Sequence, residues 1–373
     1  MARAPQSIEI EELPEADRLE GFPHPRMTRD LFGHEQVEAS LRESVAEGRL
    51  HHGWLITGPQ GIGKATLAYR FARHLLATPE ERAASSGLAP GDDTTATRQV
   101  RALSHPGLLV IRRPYNVKDK RFASSIPIDE VRRLRGFLAH AAGDGIWRTV
   151  IVDTADELNI NAANALLKSL EEPPARTIFL LVSSEPGRLL PTIRSRCRTL
   201  ALQPLDREAL RRAVRQALAA SDRGGEPDPS EWVSLERLAR GSVRRVLALQ
   251  AAGGLELHAR IDRLVGTLPA VDWSSVHALG DELVGAAAEQ RFELFFELLL
   301  DTLARLTRAA ATGDGYEGEV DLARRLVGPA RLATFADLWE RVARAKADAL
   351  ALNLDRKALI LETVRELEAA VRS

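Results

Sequence analysis

Hydrophobic and polar positions follow two textures along this chain. In the first half, short apolar runs recur. Trp54-Leu55-Ile56, Leu108-Leu109-Val110-Ile111, Val150-Ile151-Val152, Ile178-Phe179-Leu180-Leu181-Val182 and Thr199-Leu200-Ala201-Leu202 are each nearly unbroken. Unbroken runs of this length predict strands buried on both faces, as in a parallel sheet. Between them lie apolar residues at helical spacing: Val37, Leu41 and Val45; Leu67, Phe71 and Leu75; Val131, Leu134 and Leu138; and the stretch Asn161–Leu170. Strands alternating with helices predict a mostly parallel α/β domain.

From Asp206 the strand pattern stops. Leu210–Ala219, Glu231–Arg240 and Gly241–Leu247 have helical periodicity, joined by a connector at Asp222–Pro229. Leu294, Phe295, Leu298, Leu299, Leu303 and Leu306 fall on one helical face, and Leu354–Leu367 forms a last helix. Met1–Arg26 is polar and broken by prolines, and reads as a surface arm. Thr78–Arg98 and Thr312–Gly318 read as loops, and Tyr115–Ser125, with Lys118, Lys120 and Arg121, as a basic surface loop. These readings divide the chain into residues 1–203, 204–253 and 254–373.

Composition narrows the picture in three ways. At 373 residues, with 45% apolar and 28% charged, the chain can build two or three soluble cores. A net charge of −1 argues against a protein that grips nucleic acid unaided. The single cysteine, Cys197, excludes an internal disulfide and any multi-cysteine zinc site. The acidic, proline-containing start does not read as a signal peptide, and no run reaches transmembrane length, so a cytoplasmic location is expected.

The densest chemistry lies at Gly58-Pro59-Gln60-Gly61-Ile62-Gly63-Lys64, between a strand and a helix. This is the spacing of a phosphate-cradling loop: glycines turn backbone N–H groups inward, and the lysine reaches the terminal phosphates. The next residue should carry a hydroxyl for Mg²⁺, but it is Ala65; Thr66 follows one helical step away, its side chain rotated by about 100°. The loop could hold ATP or ADP, with a damaged metal site. Val150–Val152 ends in Asp153, the expected place for a metal-organising carboxylate. A glutamate often follows it in active ATPases; here the residue is Thr154. His51 and His52 are expected on opposite faces of an extended segment, which argues against a shared metal.

Taken in order, Gly58–Lys64, Val150–Asp153, NALLKSLEEPP at Asn164–Pro174, SRC at Ser195–Cys197 and GSVRR at Gly241–Arg245 resemble the clamp-loader branch of the AAA+ ATPases. The resemblance implies a P-loop (AAA+) α/β domain with a parallel sheet, a small helical lid domain and an all-α C-terminal collar domain. It also implies a mechanism. Arg196 matches an arginine finger that acts in trans on a neighbouring subunit's ATP, although by position alone it reads as part of a surface ion pair. Arg244 matches a nucleotide-sensing arginine of the lid, a role that the damaged site leaves open to a structural alternative. Ala65 and Thr154 point to a non-motor member that needs no cofactor of its own. The zinc module of many relatives has no cysteines here. Implied partners are the gamma/tau motor subunits, the delta subunit, the sliding clamp and, through the complex, primer–template DNA.

Two other readings compete. An active ATPase, such as a motor loader subunit or a Holliday-junction helicase motor, needs the residues that Ala65 and Thr154 replace. A small-molecule P-loop kinase leaves SRC, NALLKSLEEPP and the helical tail without a role. No carboxylate cluster suggests polymerase chemistry; a polymerase label would come only through membership of a holoenzyme.

Overall fold

The computed structural model describes residues 13–373 apart from 86, 140–146, 222–224, 286–287, 317, 353 and 373. The first twelve residues of the expected arm, the start of the 222–229 connector and one residue of the 312–318 loop therefore lie outside the described residues. The chain folds as two compact units, one ending at Val246 and the other starting at Leu247.

The first unit is built on a five-stranded sheet. Its strands are β1 (Gly53–Thr57), β2 (Leu108–Ile111), β5 (Arg148–Val152), β6 (Thr177–Ser183) and β7 (Arg198–Ala201); a two-stranded hairpin, β3 (Tyr115–Asn116) with β4 (Arg121–Phe122), lies apart. The order across the sheet is β2-β5-β6-β1-β7, and every neighbouring pair is parallel. The apolar runs are continuous because both faces are covered. Trp54, Ile56, Ile151, Ile178, Leu180 and Val182 enter one core with Leu67, Phe71 and Leu75. Leu55, Val150, Val152, Phe179 and Leu181 enter the other with Val131, Leu134, Leu166 and Leu170. Alternate residues of each strand thus supply opposite cores.

Helix α1 (Glu35–Ala46) precedes β1, and α2 (Lys64–Leu76) follows the glycine loop. The order places β1 between β6 and β7, so the C-terminal ends of β1, β6 and β5 lie side by side. This is where an open α/β sheet presents a crevice to ligands. Helices Arg207–Ala219 and Trp232–Ala239, and the start of Val243–Ala251, follow β7 in this unit.

Three loop expectations are revised. Thr78–Arg98 contains two short helices, Pro79–Ala83 and most of Thr95–Arg101. Their starts are fixed by Thr78, paired with Glu81 in a capping box, and by Thr94, local signals that the Ser/Thr/Gly-rich composition obscured. The basic loop carries the β3–β4 hairpin, with Tyr115 edge-on to Phe122. The arm is also more than a surface strap. From Glu15 it packs inward, burying Phe22 and His24, and Arg73 of α2 donates to Arg26 O and Thr28 O.

Among its described residues the second unit has helices and no strand: the end of Val243–Ala251, then Gly254–Thr267, Trp273–Leu283, Glu289–Thr312, Glu319–Leu326, Leu332–Leu352 and Arg356–Arg372. The expected face of the long helix Glu289–Thr312 is buried, widened by Phe292 and Phe296. The rings of Phe292 and Phe295 meet Phe296 edge-on at 5.0 and 5.1 Å.

Candidate nucleotide site and its surroundings

The glycine loop adopts the strand–loop–helix geometry that the spacing called for, leaving β1 at Thr57 and entering α2 at Lys64. Gly61 and Gly63 have φ of +78° and +106°, where a side chain is strained. Each is also pressed by neighbours. A Cβ on Gly61 would lie 2.4 Å from Ser242 Oγ and 2.5 Å from Arg244 Cβ, and one on Gly63 would lie 2.8 Å from Leu31 Cδ1. Val243 N donates to Gly61 O at 2.9 Å, while His34 Nε2 bonds Ile62 O at 2.8 Å. GSVRR therefore closes directly on the loop, and the residues before α1 brace its other side. Pro59 and Gln60 remain exposed; Ile62 and Thr66 are buried.

Lys64 is turned back onto its own loop. Its Nζ donates to Gly58 O at 2.7 Å, Pro59 O at 2.6 Å and Ser184 Oγ at 2.9 Å. An ammonium has three donors, and here all three have acceptors. Burial pulls its pKa down to about 8, against the charge of Asp156. Ser184, at the end of β6, also donates its N–H to Asp156 Oδ1 at 3.1 Å.

Asp153 is 4% exposed and its carboxyl faces the arm. Burial and the neighbouring charge of Asp17, with which it shares a hydrogen bond, push its pKa well above the ordinary value. Burial alone would raise Asp17 too. The hydrogen bond from His24, the charge of Arg112 and the Asp153 hydrogen bond outweigh that and hold it well below. His24 Nδ1 accepts from Arg26 N at 2.9 Å, so Nε2 carries the proton and donates to Asp17 Oδ2 at 2.7 Å. Arg112 Nη1 donates to Asp17 Oδ1 at 3.0 Å and pairs with Glu15. His24 meets Tyr69 of α2 edge-on at 5.4 Å. The pair reads as one carboxylate, Asp17, and one carboxylic acid, Asp153, in a buried network.

Thr154, at the place of the missing glutamate, has φ +60°, an uncommon conformation for a β-branched residue. Glu157 pairs with Arg113 at 2.6 Å. The loop, Lys64, Ser184, Asp156 and the lid residues Ser242 and Arg244 come together; Asp153 lies near but is engaged elsewhere. Arg196 is not part of this cluster. It follows the short helix Pro191–Arg194 and precedes the edge strand β7, with its guanidinium on Glu171.

The arm cluster of Glu15, Asp17 and His24 escaped sequence reading, because its partners Arg112 and Asp153 lie far along the chain. Ser184 had a signal, a hydroxyl at a strand end beside β1. The histidine reading is corrected: the rings of His51 and His52 stack at 4.4 Å and 24°. Both residues precede β1, so strand alternation does not apply. They nevertheless serve backbone groups, His51 at Gly53 and His52 at Leu170 O. Among the described residues no group of His, Cys, Asp and Glu is arranged to hold a metal. Burial lifts the Cys197 thiol to about 11, the behaviour of a small apolar side chain rather than a nucleophile.

A family model described as DNA polymerase III, delta subunit matches residues 33–206. DNA polymerase III subunit delta' of Pseudomonas aeruginosa is 41% identical over 146 residues, covering 39% of this chain and 41% of that protein. Subunit tau of Escherichia coli is 28% identical over 352 residues, covering 93% of this chain and 48% of tau. The chain thus spans under half the length of these two relatives. Among solved structures, a gamma-subunit-related protein from Thermotoga maritima has 17% identity and a TM-score of 0.40, covering 91% of this chain and 99% of that one. Subunit delta' of Escherichia coli is 32% identical over 295 residues, covering 78% of this chain and 82% of its own length. With that identity across most of both chains, the protein belongs to the DNA polymerase III delta-prime family.

Proposed function

We propose that this chain is a non-motor subunit of the bacterial sliding-clamp loader, lending Arg196 in trans to a neighbouring motor subunit. The observation that carries the non-motor half is Lys64, whose three donors are all satisfied by Gly58 O, Pro59 O and Ser184 Oγ. A lysine that serves phosphate needs those donors. Ala65 has no hydroxyl for Mg²⁺, burial and Asp17 push the Asp153 pKa well above its ordinary value, and Thr154 replaces the water-orienting glutamate. The subunit has no ATP turnover of its own and requires no bound nucleotide. A polymerase label attaches to it only as part of the holoenzyme.

The finger half draws on position and chemistry. Arg196 keeps about a third of its side chain exposed. A guanidinium is always charged and multiply donating, so it suits charge developing on a transferred phosphoryl group. The gamma/tau motors would supply that group. The delta subunit, the sliding clamp and primer–template DNA are the remaining partners, working in the cytoplasm. No helix among the described residues is long and apolar enough to cross a membrane.

The non-motor reading is tested on the chain alone. Ala65→Thr combined with Thr154→Glu restores the two missing groups. The expected result is no ATP turnover, because Lys64 and Asp153 stay engaged; measurable turnover would overturn the reading.

A further inference from the structure

The guanidinium of Arg196 is held at both ends. Nη2 lies 2.6 Å from Glu171 Oε1, and Nη1 donates to Thr192 O at 2.9 Å. The first contact comes from the helix Ile160–Glu171, the second from the short helix Pro191–Arg194. Two separate elements therefore fix one side chain.

Glu171 stands in an electrostatically poor place. It is the last residue of its helix, where unpaired carbonyls and the helix dipole disfavour a negative charge, and a second acid, Glu172, follows before Pro173 ends the run. A cation bound there relieves that disadvantage. The helix itself is rigidly seated, with Ala162, Ala163, Leu166 and Leu170 buried. The carboxylate is thus presented from a fixed element. The two side chains keep 35% and 46% exposure, so the pair lies at the surface. Nη1 also reaches Ser195 Oγ at 3.5 Å. Of arginine's five N–H donors in a planar fork, Nε–H and one hydrogen of Nη2 are left to face outward.

We propose that Glu171 is a positioning residue for Arg196: it orients the guanidinium before a neighbouring subunit's phosphates arrive, without touching nucleotide itself. This rests on reading Arg196 as a finger, as above. An unheld surface arginine samples many rotamers, and holding it in one orientation lowers the entropy lost on reaching the transition state.

The test uses the loader reconstituted from this chain and its motor partners, with clamp- and DNA-stimulated ATP hydrolysis measured across ATP concentrations. Glu171→Gln should lower kcat about three- to fivefold, the scale of an exposed ion pair, with KM for ATP little changed. Glu171→Asp should recover part of the loss. In an Arg196→Ala background Glu171→Gln should change nothing further. Unchanged or faster turnover in Glu171→Gln overturns the proposal, as does an equal loss in the Arg196→Ala background or a loader that fails to assemble by gel filtration. If Arg196→Ala itself leaves hydrolysis intact, the finger reading falls and this inference with it. A large Arg196→Ala loss beside an inert Glu171→Gln removes this inference alone.

Discussion

At the scale of single residues, the decisive feature is a pair of carboxyl groups with opposite shifts. Asp17 is held ionised by His24 and Arg112, while burial and Asp17 keep Asp153 protonated. Their effects on stability have opposite signs. Asp153, raised in the folded state, contributes stability that is fully present below its unfolded pKa of about 4 and is lost as pH rises through its folded value. Asp17, depressed in the folded state, contributes stability present above about 4 and lost as pH falls through its folded value. Asp153→Asn should therefore fold normally and gain on the parent as pH rises. The gain should be about 1.4 kcal/mol for each pKa unit between the folded and unfolded values that the pH has passed. Urea unfolding at pH 5.5 and pH 8 measures it; a variant that loses ground at pH 8 would refute the protonated assignment. Asp17→Ala should instead cost about 3–5 kcal/mol at neutral pH, by leaving Arg112 and His24 without their acceptor.

At the scale of elements, the glycine loop and the segment Gly241–Arg245 act as one packed unit. Val243 N bonds Gly61 O, and no space exists for a Cβ on Gly61 beside Ser242 and Arg244. Gly61→Ala should cost about 2 kcal/mol or more, combining the penalty of positive φ with the displacement of that segment. The midpoint of chemical unfolding checks this, and an unchanged midpoint would mean that the contact is loose. Strands, loop and long helices were legible in the sequence because each rests on local information. A buried parallel strand must be apolar throughout, and a phosphate loop must have its glycines at fixed spacing. Elements set by distant partners were not legible. The arm is shaped by Arg112 and Asp153, which lie far from Asp17 in sequence. The stacking of His51 on His52 arises in the non-strand residues just before β1, where strand alternation does not apply. The starts of the short helices at Pro79–Ala83 and Thr95–Arg101 are a different case, set by local caps at Thr78 and Thr94 that composition hid.

At the scale of the whole molecule, the first unit keeps its sheet order, its glycine loop and the contact of that loop with Gly241–Arg245, while Lys64 and Asp153 are each engaged by other groups of the chain. Lys64 faces carbonyls, Asp153 faces Asp17, and Arg196 stands apart at the surface on Glu171. The sequence displayed the damage at Ala65 and Thr154, but it could not display that Lys64 and Asp153 are internally occupied, since that depends on side-chain geometry. The proposed role, holding a ring's shape and completing a neighbour's site, rests on that arrangement. The most direct measurement is clamp- and DNA-stimulated ATP hydrolysis by the reconstituted loader with Arg196→Ala in this chain, beside the wild-type loader and this chain alone. The account predicts an intact assembly whose turnover falls by about 10³-fold per finger-dependent site, and no turnover by the isolated chain. Undiminished hydrolysis with Arg196→Ala, or steady turnover by the chain alone, would contradict it.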